Sequence, residues 1–140
     1  MHNYIGIDFG LANIGIAIGQ SITKTASALI TIHVNKKFTW DKFDDVINQW
    51  KPAAIIIGKP LNEDGQEQLT TKQAHNFAKK LKRRYHLPVH EVDERYSSLE
   101  AQDEFADARK QGKAKKKHGK NLDAHAAKNI LQRWLDSQLF

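Results

Sequence analysis

The segment that most constrains the fold is a short apolar run in the middle of the chain, Ala53 to Gly58 (AAIIIG). A strand without polar residues has no face suited to solvent exposure, so other elements must cover both of its faces. Three amphipathic helices that could cover these faces are predicted, because apolar residues recur at helical intervals in residues 39–50, 70–85 and 122–139. We therefore expect an α/β protein whose sheet carries helices on both faces.

Four further segments predict strands around this run. Residues 4–8 (YIGID) and 13–19 (NIGIAIG) are separated by only a few residues, so they predict a hairpin, which residues 26–34 extend into an antiparallel meander. Residues 87–93 (LPVHEVD) predict a fifth strand, and a further helix is predicted from Ser97 to about Lys110. This order of elements indicates a five-stranded mixed sheet whose last two strands are reached through crossover helices.

The composition narrows the class of protein. A length of 140 residues suits a single domain, residues 1–140. The absence of cysteine excludes disulfides, a thiol nucleophile and a cysteine-bound zinc site. The longest purely apolar run, 53–57, is far shorter than the ~20 residues that span a bilayer, and the N-terminus lacks the pattern of a signal peptide. We therefore expect a cytoplasmic protein with no membrane partner.

The charge indicates a polyanionic partner. The chain has 22 Lys and Arg against 16 Asp and Glu, a formal charge of +6, and this excess is accounted for by residues 109–120 (RKQGKAKKKHGK). Two glycines and a dense run of like charge predict a flexible basic loop there. Such a loop either only aids solubility or contacts nucleic-acid phosphates, with Lys115, Lys116 and Lys117 at its centre.

Three acidic positions lie where elements meet. Asp8 ends the first predicted strand, Asp93 and Glu94 end the fifth, and Asp123 opens the last helix. Taken singly, each acid has a structural explanation. The Asp8 carboxylate can accept a hydrogen bond from the backbone of its own turn, and Asp123 can cap its helix. Taken together, converging carboxylates offset the cost of placing an acid at the end of an apolar strand by holding a hard divalent cation. Side-chain alternation puts Asp93 and Glu94 on opposite faces without deciding which points inward.

Some polar residues near these acids are candidates for binding phosphate. The guanidinium of Arg95 matches phosphate oxygens, and Ser97 either caps a helix or contacts phosphate at its N-terminus. Four glycines near Asp8 would permit a substrate to approach the protein backbone closely, although glycines in a hairpin need no function: Gly6, Gly10, Gly15 and Gly19.

Other candidates have structural explanations. The histidines, His33 among them, lack the spacing of a zinc site, so structural or surface roles are expected. Trp40 and Trp50 lie on an apolar helical stripe and are expected in the core rather than as platforms for bases.

Four stretches together carry a family resemblance: GIDFGLANIGIAIGQ (6–20), IIIGKPLNEDGQEQ (55–68), VDERYSSLEAQ (92–102) and LDAHAAKNILQRWL (122–135). They closely resemble the YqgF family, also called RuvX, a family of proposed pre-16S rRNA nucleases similar in fold to RuvC-type Holliday-junction resolvases. The resemblance implies an RNase H-like fold and a hydrolase that cuts phosphodiester bonds with Mg²⁺ or Mn²⁺. It also implies a role in maturing the 5′ end of 16S rRNA in the bacterial cytoplasm.

The resemblance carries the acidic positions of the family onto Asp8, the Asp93–Glu94 pair and Asp123. The chain departs from the family in having Lys59 where Leu is frequent, which adds a cation that can contact phosphate, and Asn13 where many members have Arg. It departs from RuvC-type resolvases in lacking an acid on the fourth strand, AAIIIG.

Two alternative functions remain open from the sequence. One is a resolvase of branched DNA, which requires a homodimer because two strands must be cut. The other is a non-catalytic nucleic-acid-binding factor in ribosome assembly. The sequence does not decide between a monomer and a homodimer.

Overall fold

The computed structural model describes residues 2–10, 12–34, 38–59, 69–93 and 122–139. The strands in these segments are β1 (Asn3–Phe9), β2 (Asn13–Gln20), β3 (Thr25–His33), β4 (Ala54–Lys59) and β5 (Val89–Asp93). The helices are α1 (Asp41–Trp50), α2 (Leu69–Tyr85) and α3 (Leu122–Asp136).

The strands form one mixed sheet in the order β3-β2-β1-β4-β5. β1, β2 and β3 pair antiparallel, whereas β4 pairs parallel with both β1 and β5. The predicted meander and mixed five-stranded sheet are thus confirmed. The fifth strand begins after Pro88, which has no N–H to donate to a neighbouring strand. The helix predicted from Ser97 and the basic loop at 109–120 lie outside the described residues.

The helices cover both faces of the sheet, as the apolar run predicts. Alternate residues of β1 and β4, such as Ile5, Ile7 and Ile57, pack with Phe43 of α1 and Leu81 of α2 in one core. The intervening positions face α3, where Ile56 packs with Ala127, Leu131 and Leu135 in the second core. None of the described helices is long and apolar enough to cross a membrane.

Glycines of β1 and β2 form a flat floor beneath α3. A Cβ atom built on Gly6 would lie 2.7 Å from Cβ of Leu131 and 2.9 Å from the carbonyl oxygen of Ala127. One on Gly19 would lie 2.9 Å from Cδ1 of Leu135. Real Cβ atoms do not come that close, so α3 packs on the sheet only because these side chains are absent.

The closest approach is at Gly15, where an added Cβ would collide with the backbone carbonyl of Asp123 in the first turn of α3. The neighbouring amide of Ala124 lies 2.7 Å from the same position. Gly15 and Gly19 therefore admit a helix of the protein itself. The expectation that a substrate approaches the backbone at these two glycines was wrong, because α3 occupies that space. The sequence does not reveal which element lies over them.

The other half of α3 is fixed by the side-chain amide of Gln132. Its Oε1 accepts a hydrogen bond from the backbone N–H of Ala26 (2.9 Å), and its Nε2 donates to the carbonyl of Lys24 (2.7 Å). The two bonds join the helix to the beginning of β3. Together with the glycine floor, they fix the axial position of α3 on the sheet.

We expect Gly15→Ala to destabilise the protein by about 1–3 kcal/mol, because backbone atoms of α3 must move to admit the methyl group. Urea unfolding measures this loss as a lower free energy of unfolding. Gly19→Ala is the matched control, because two of its three nearest neighbours are flexible ends of leucine side chains. A Gly15→Ala protein as stable as the control would contradict the close contact.

Candidate functional site

The carboxyl ends of β1, β4 and β5 lie together at one edge of the sheet. The parallel register pairs Ile7 with Ile57 and Lys59 with Asp93, so Asp8, Lys59 and Asp93 all belong to this edge. In open sheets of this kind, ligands bind at the carboxyl ends of the strands.

Asp8 and Asp123 lie on the same face of this edge. Asp8 is paired with Gly15 across β1 and β2, and the carbonyl of Asp123 lies directly over Gly15. Side chains of directly opposed residues project from the same face of a sheet. Tyr4 is four residues before Asp8 in β1, so the two side chains share a face. The ring of Tyr4 packs against Trp134 of α3 with 5.0 Å between centroids, which confirms that this is the α3 face. The glycine floor thus places both residues on the α3 face of the carboxyl edge.

The environment of Asp123 favours its neutral form. Burial raises the pKa of this half-buried carboxyl above its ordinary value of 3.8, and the nearby His33 opposes the shift only in part. An ionised Asp123 is therefore under-compensated by the described side chains. A bound cation would supply the missing compensation.

His33, whose electrostatic effect lowers the pKa of Asp123, is held by Asn13. Asn13 begins β2 and is paired with His33 at the end of β3, and His33 Nδ1 donates a hydrogen bond of 2.6 Å to Asn13 Oδ1. The sequence alone indicates no role for His33 at this site. The signal that reveals it is the strand register, because Asn13 and His33 close the same hairpin pair.

Asp93 lies on the opposite face of the sheet from Asp8. Along β5, Val89 belongs to the core beneath α1 and α2, and Glu91 contacts His75 of α2 at 2.9 Å. The intervening His90 instead stacks on Trp134 of α3, with 5.6 Å between ring centroids. By alternation, Asp93 shares the α2 face with Glu91.

Lys59 also lies on the α2 face. It lines a polar cleft of about 320 Å³ whose other described walls are Thr71, Lys72, His75, Asn76 and Glu91. Asp8 and Lys59 are therefore separated by the sheet, although both lie at its carboxyl edge.

A divalent cation fits the donor set only in part. Asp8 and Asp123 offer the hard oxygen ligands that Mg²⁺ and Mn²⁺ prefer. Within the described segments, no three His, Cys, Asp or Glu side chains are grouped closely enough to hold a metal ion. The remaining sequence candidates, Glu94, Arg95, Ser97 and Lys115–Lys117, lie outside those segments.

Comparison with protein families gives a match over nearly the whole chain. The model of the RuvX family, described as Holliday junction resolvase, matches residues 2–137. A relative from Hydrogenovibrio crunogenus, named "Putative pre-16S rRNA nuclease", is 40% identical over 134 residues, which cover 95% of this chain and 92% of the relative. A relative of the same name from Xylella fastidiosa is 42% identical over 132 residues, covering 94% and 85%.

Two solved structures share the fold. RuvC of T. thermophilus in complex with a Holliday junction substrate superposes with a TM-score of 0.58 and 14% identity, over 95% of this chain and 93% of that one. The Fowlpox virus resolvase bound to Holliday junction DNA gives a TM-score of 0.61 and 16% identity, over 99% of both chains. These likenesses confirm the RNase H-like architecture.

We expect Asp123→Asn to raise the thermal stability of the metal-free protein at neutral pH. A carboxyl whose pKa is raised by folding favours the folded state when protonated, and this advantage is lost as the pH rises through the folded pKa. The melting temperatures of the two proteins should therefore coincide below about pH 3.8 and diverge above it, with the variant higher. A variant less stable than the parent at neutral pH would contradict this account.

Proposed function

Because the chain belongs to the RuvX family, we propose that it is a divalent-metal-dependent endonuclease that processes the 5′ end of precursor 16S rRNA in the cytoplasm. The shared name of relatives that are 40–42% identical supports the substrate. The observation that carries the chemistry is the placement of Asp8 and Asp123 on one face of the carboxyl edge.

We assign the third carboxylate to Glu94 rather than Asp93. Asp93 shares the α2 face with Glu91, away from Asp8 and Asp123. A strand that keeps its alternation for one more residue turns the next side chain to the α3 face. The face of Asp93 is therefore our reason for proposing Glu94 as the ligand of this pair.

Mg²⁺ or Mn²⁺ held at this site would activate a water molecule and stabilise the leaving oxygen of the phosphodiester. Asp8 and Asp123 would hold the ion from a strand and a helix whose relative position is fixed by the glycine floor. The partial burial of Asp123 strengthens its interaction with a cation. The exposed ring of His33, oriented by Asn13, would contact a phosphate next to the reacting one.

Phosphate contacts away from the reacting group come from residues predicted by the sequence. We retain Arg95, Ser97 and the lysines Lys115–Lys117 in this role, because guanidinium, hydroxyl and ammonium groups are the usual partners of phosphate oxygens. Lys59 is assigned to a phosphate further along the substrate, since it lies on the α2 face.

A Holliday-junction resolvase is the second candidate function. The description of the family model and the shared fold with two junction-bound resolvases favour it. It needs a homodimer, because both strands of a junction must be cut, whereas an RNA endonuclease can act as a monomer. A four-way DNA junction compared with precursor rRNA in one cleavage assay separates the two candidates.

We expect Asp8→Asn and Glu94→Gln, each on its own, to reduce Mg²⁺-dependent cleavage of precursor 16S rRNA by more than about 100-fold. Loss of a residue that only supports a metal ligand costs up to about 100-fold, so loss of a ligand itself should cost more. Single-turnover cleavage of end-labelled RNA measures the rate. Asp93→Asn is the matched control and should keep most of the activity. Circular dichroism checks that each variant is folded.

Full activity of Asp8→Asn would contradict the nuclease site as a whole. An inactive Asp93→Asn beside an active Glu94→Gln would instead move the third ligand to Asp93. RNA bound but uncut by the parent protein, with Mg²⁺ or Mn²⁺ present, would favour a non-catalytic assembly factor.

A further inference from the structure

Helix α2 is a second basic segment of the chain. Its 17 residues include six Lys and Arg and no acid, so without them the chain has 16 basic and 16 acidic residues. Removal of either segment, α2 or residues 109–120, leaves the rest of the chain nearly neutral. The two segments therefore contribute about equally to the positive charge. Three cations in its last turn complement the helix dipole, but Lys80 and Lys79 lie further back and need another explanation.

An aromatic cleft lies beside the basic helix. It has a volume of about 570 Å³, which is within the usual range of ligand sites. It is bounded by the β1–β2 hairpin, by residues that precede α1, and by α2. Aromatic rings form much of its wall: Phe9, Phe38, Trp40 and Phe77. Trp40 is only half-buried, so the expectation that it is a core residue holds for one side of its ring and not for the cleft side.

The rings are held in a fixed arrangement by one another. Trp40 stacks on Phe77 with 5.5 Å between centroids and an angle of 4° between planes. Phe38 meets Trp40 edge-on at 5.0 Å, with an angle of 87°. A wall of pre-ordered aromatic rings binds a flat apolar partner with little loss of side-chain entropy.

The rim of the cleft is cationic, and Arg84 is its fixed member. Its Nε and Nη2 donate to the two carboxylate oxygens of Asp44 (2.9 and 2.6 Å), and its guanidinium lies 5.2 Å from the ring centre of Trp40. Hydrogen bonds from Arg84 and Tyr85 lower the pKa of Asp44 to about 2, so this pair stays charged. Asp44 therefore holds Arg84 beside the ring of Trp40.

Lys80 and Arg83 are the other two cations of the rim. Both are exposed, and no ion pair joins either of them to an acid in the described part of the chain. A cation next to an aromatic wall and without a carboxylate partner is suited to an anionic ligand that also carries a flat ring. A polynucleotide has both features in every residue.

The cleft opens at the same end of β1 as the candidate metal centre. Phe9 lines the cleft, and it follows Asp8 directly, with the two side chains on opposite faces of the strand. Consecutive Cα atoms are about 3.8 Å apart, so only the edge of the sheet separates the two sites. A strand that is bound in the cleft can continue over this edge to the carboxylates.

We propose that this cleft binds a single-stranded segment of the nucleic-acid substrate, with a base against Phe38 and Trp40 and phosphates beside Lys80 and Arg83. The link to cleavage rests on the proposed nuclease function, whereas the binding itself does not. Stacking and charge are common to RNA and DNA, so the chemistry assigned to the ligand is that of any single strand.

The test compares two double variants of α2 that lose the same charge. Lys80→Gln with Arg83→Gln, the rim variant, removes two of the three rim cations. Lys79→Gln with Lys82→Gln, the control variant, removes two exposed cations that do not line the cleft. Binding of fluorescein-labelled oligouridylate is followed by anisotropy in EDTA over a range of salt concentrations. The slope of log K against log salt concentration is negative and should become less steep by about 1.4 in the rim variant. Each phosphate contact to a single strand contributes about 0.7 to its steepness.

Phe38→Ala tests the stacking part of the proposal separately. It should weaken binding of oligouridylate by about fivefold or more while leaving the salt slope unchanged. Oligodeoxythymidylate and a blunt RNA duplex are the other two probes. If Phe38→Ala loses the same affinity for oligodeoxythymidylate as for oligouridylate, the cleft is a general single-strand site. If affinity is lost only for RNA, the cleft also recognises the ribose.

A rim variant with the affinity and salt slope of the control variant would overturn the proposal, as would equal loss of binding to the blunt duplex. If Phe38→Ala fails to fold, the two charge variants decide alone, because they change only exposed side chains. Cleavage by the parent protein in Mg²⁺ is measured in parallel. Its absence would count against the proposed nuclease function and would leave the binding of single strands in the cleft unaffected.

Discussion

The contact between the first turn of α3 and Gly15 is the constraint on which the rest of the site depends. A helix that lies against strand backbone, with no side chain between them, has little freedom to shift. That contact fixes Asp123 over the strand pair that carries Asp8. Gln132 holds the other half of the helix through two hydrogen bonds to the beginning of β3. The geometry of the carboxylate pair is thus set by backbone packing, not by the carboxylates themselves.

Asp123 is placed where its charged form is disfavoured. Burial disfavours the charge on Asp123, and His33 offsets this only in part. A protein that needed only stability would have an amide or an apolar residue at this position. An acid whose charge the described side chains compensate only in part is typical of a site where stability is exchanged for function. The two faces of the same edge then differ in role, with carboxylates beneath α3 and an aromatic, basic cleft beside α2.

Much of the fold could be predicted from the sequence, because the apolar run 53–58 requires cover on both faces and because period-two and helical patterns locate the other elements. Asp8 and Asp123 could be singled out for the same reason, since strand ends and helix starts meet at sheet edges. The face of Asp93, the position of Lys59 and the packing role of Gly15 could not, because each depends on register. A shift of one residue in a strand reverses every face assignment.

We propose that Asp8 and Asp123 bind one divalent cation on the α3 face of the sheet. Anomalous scattering from crystals soaked in Mn²⁺ measures this most directly. We expect a peak in contact with a carboxylate oxygen of each residue, beside the first turn of α3. No peak at this position at saturating Mn²⁺, or peaks only on the α2 face near Lys59, would contradict it.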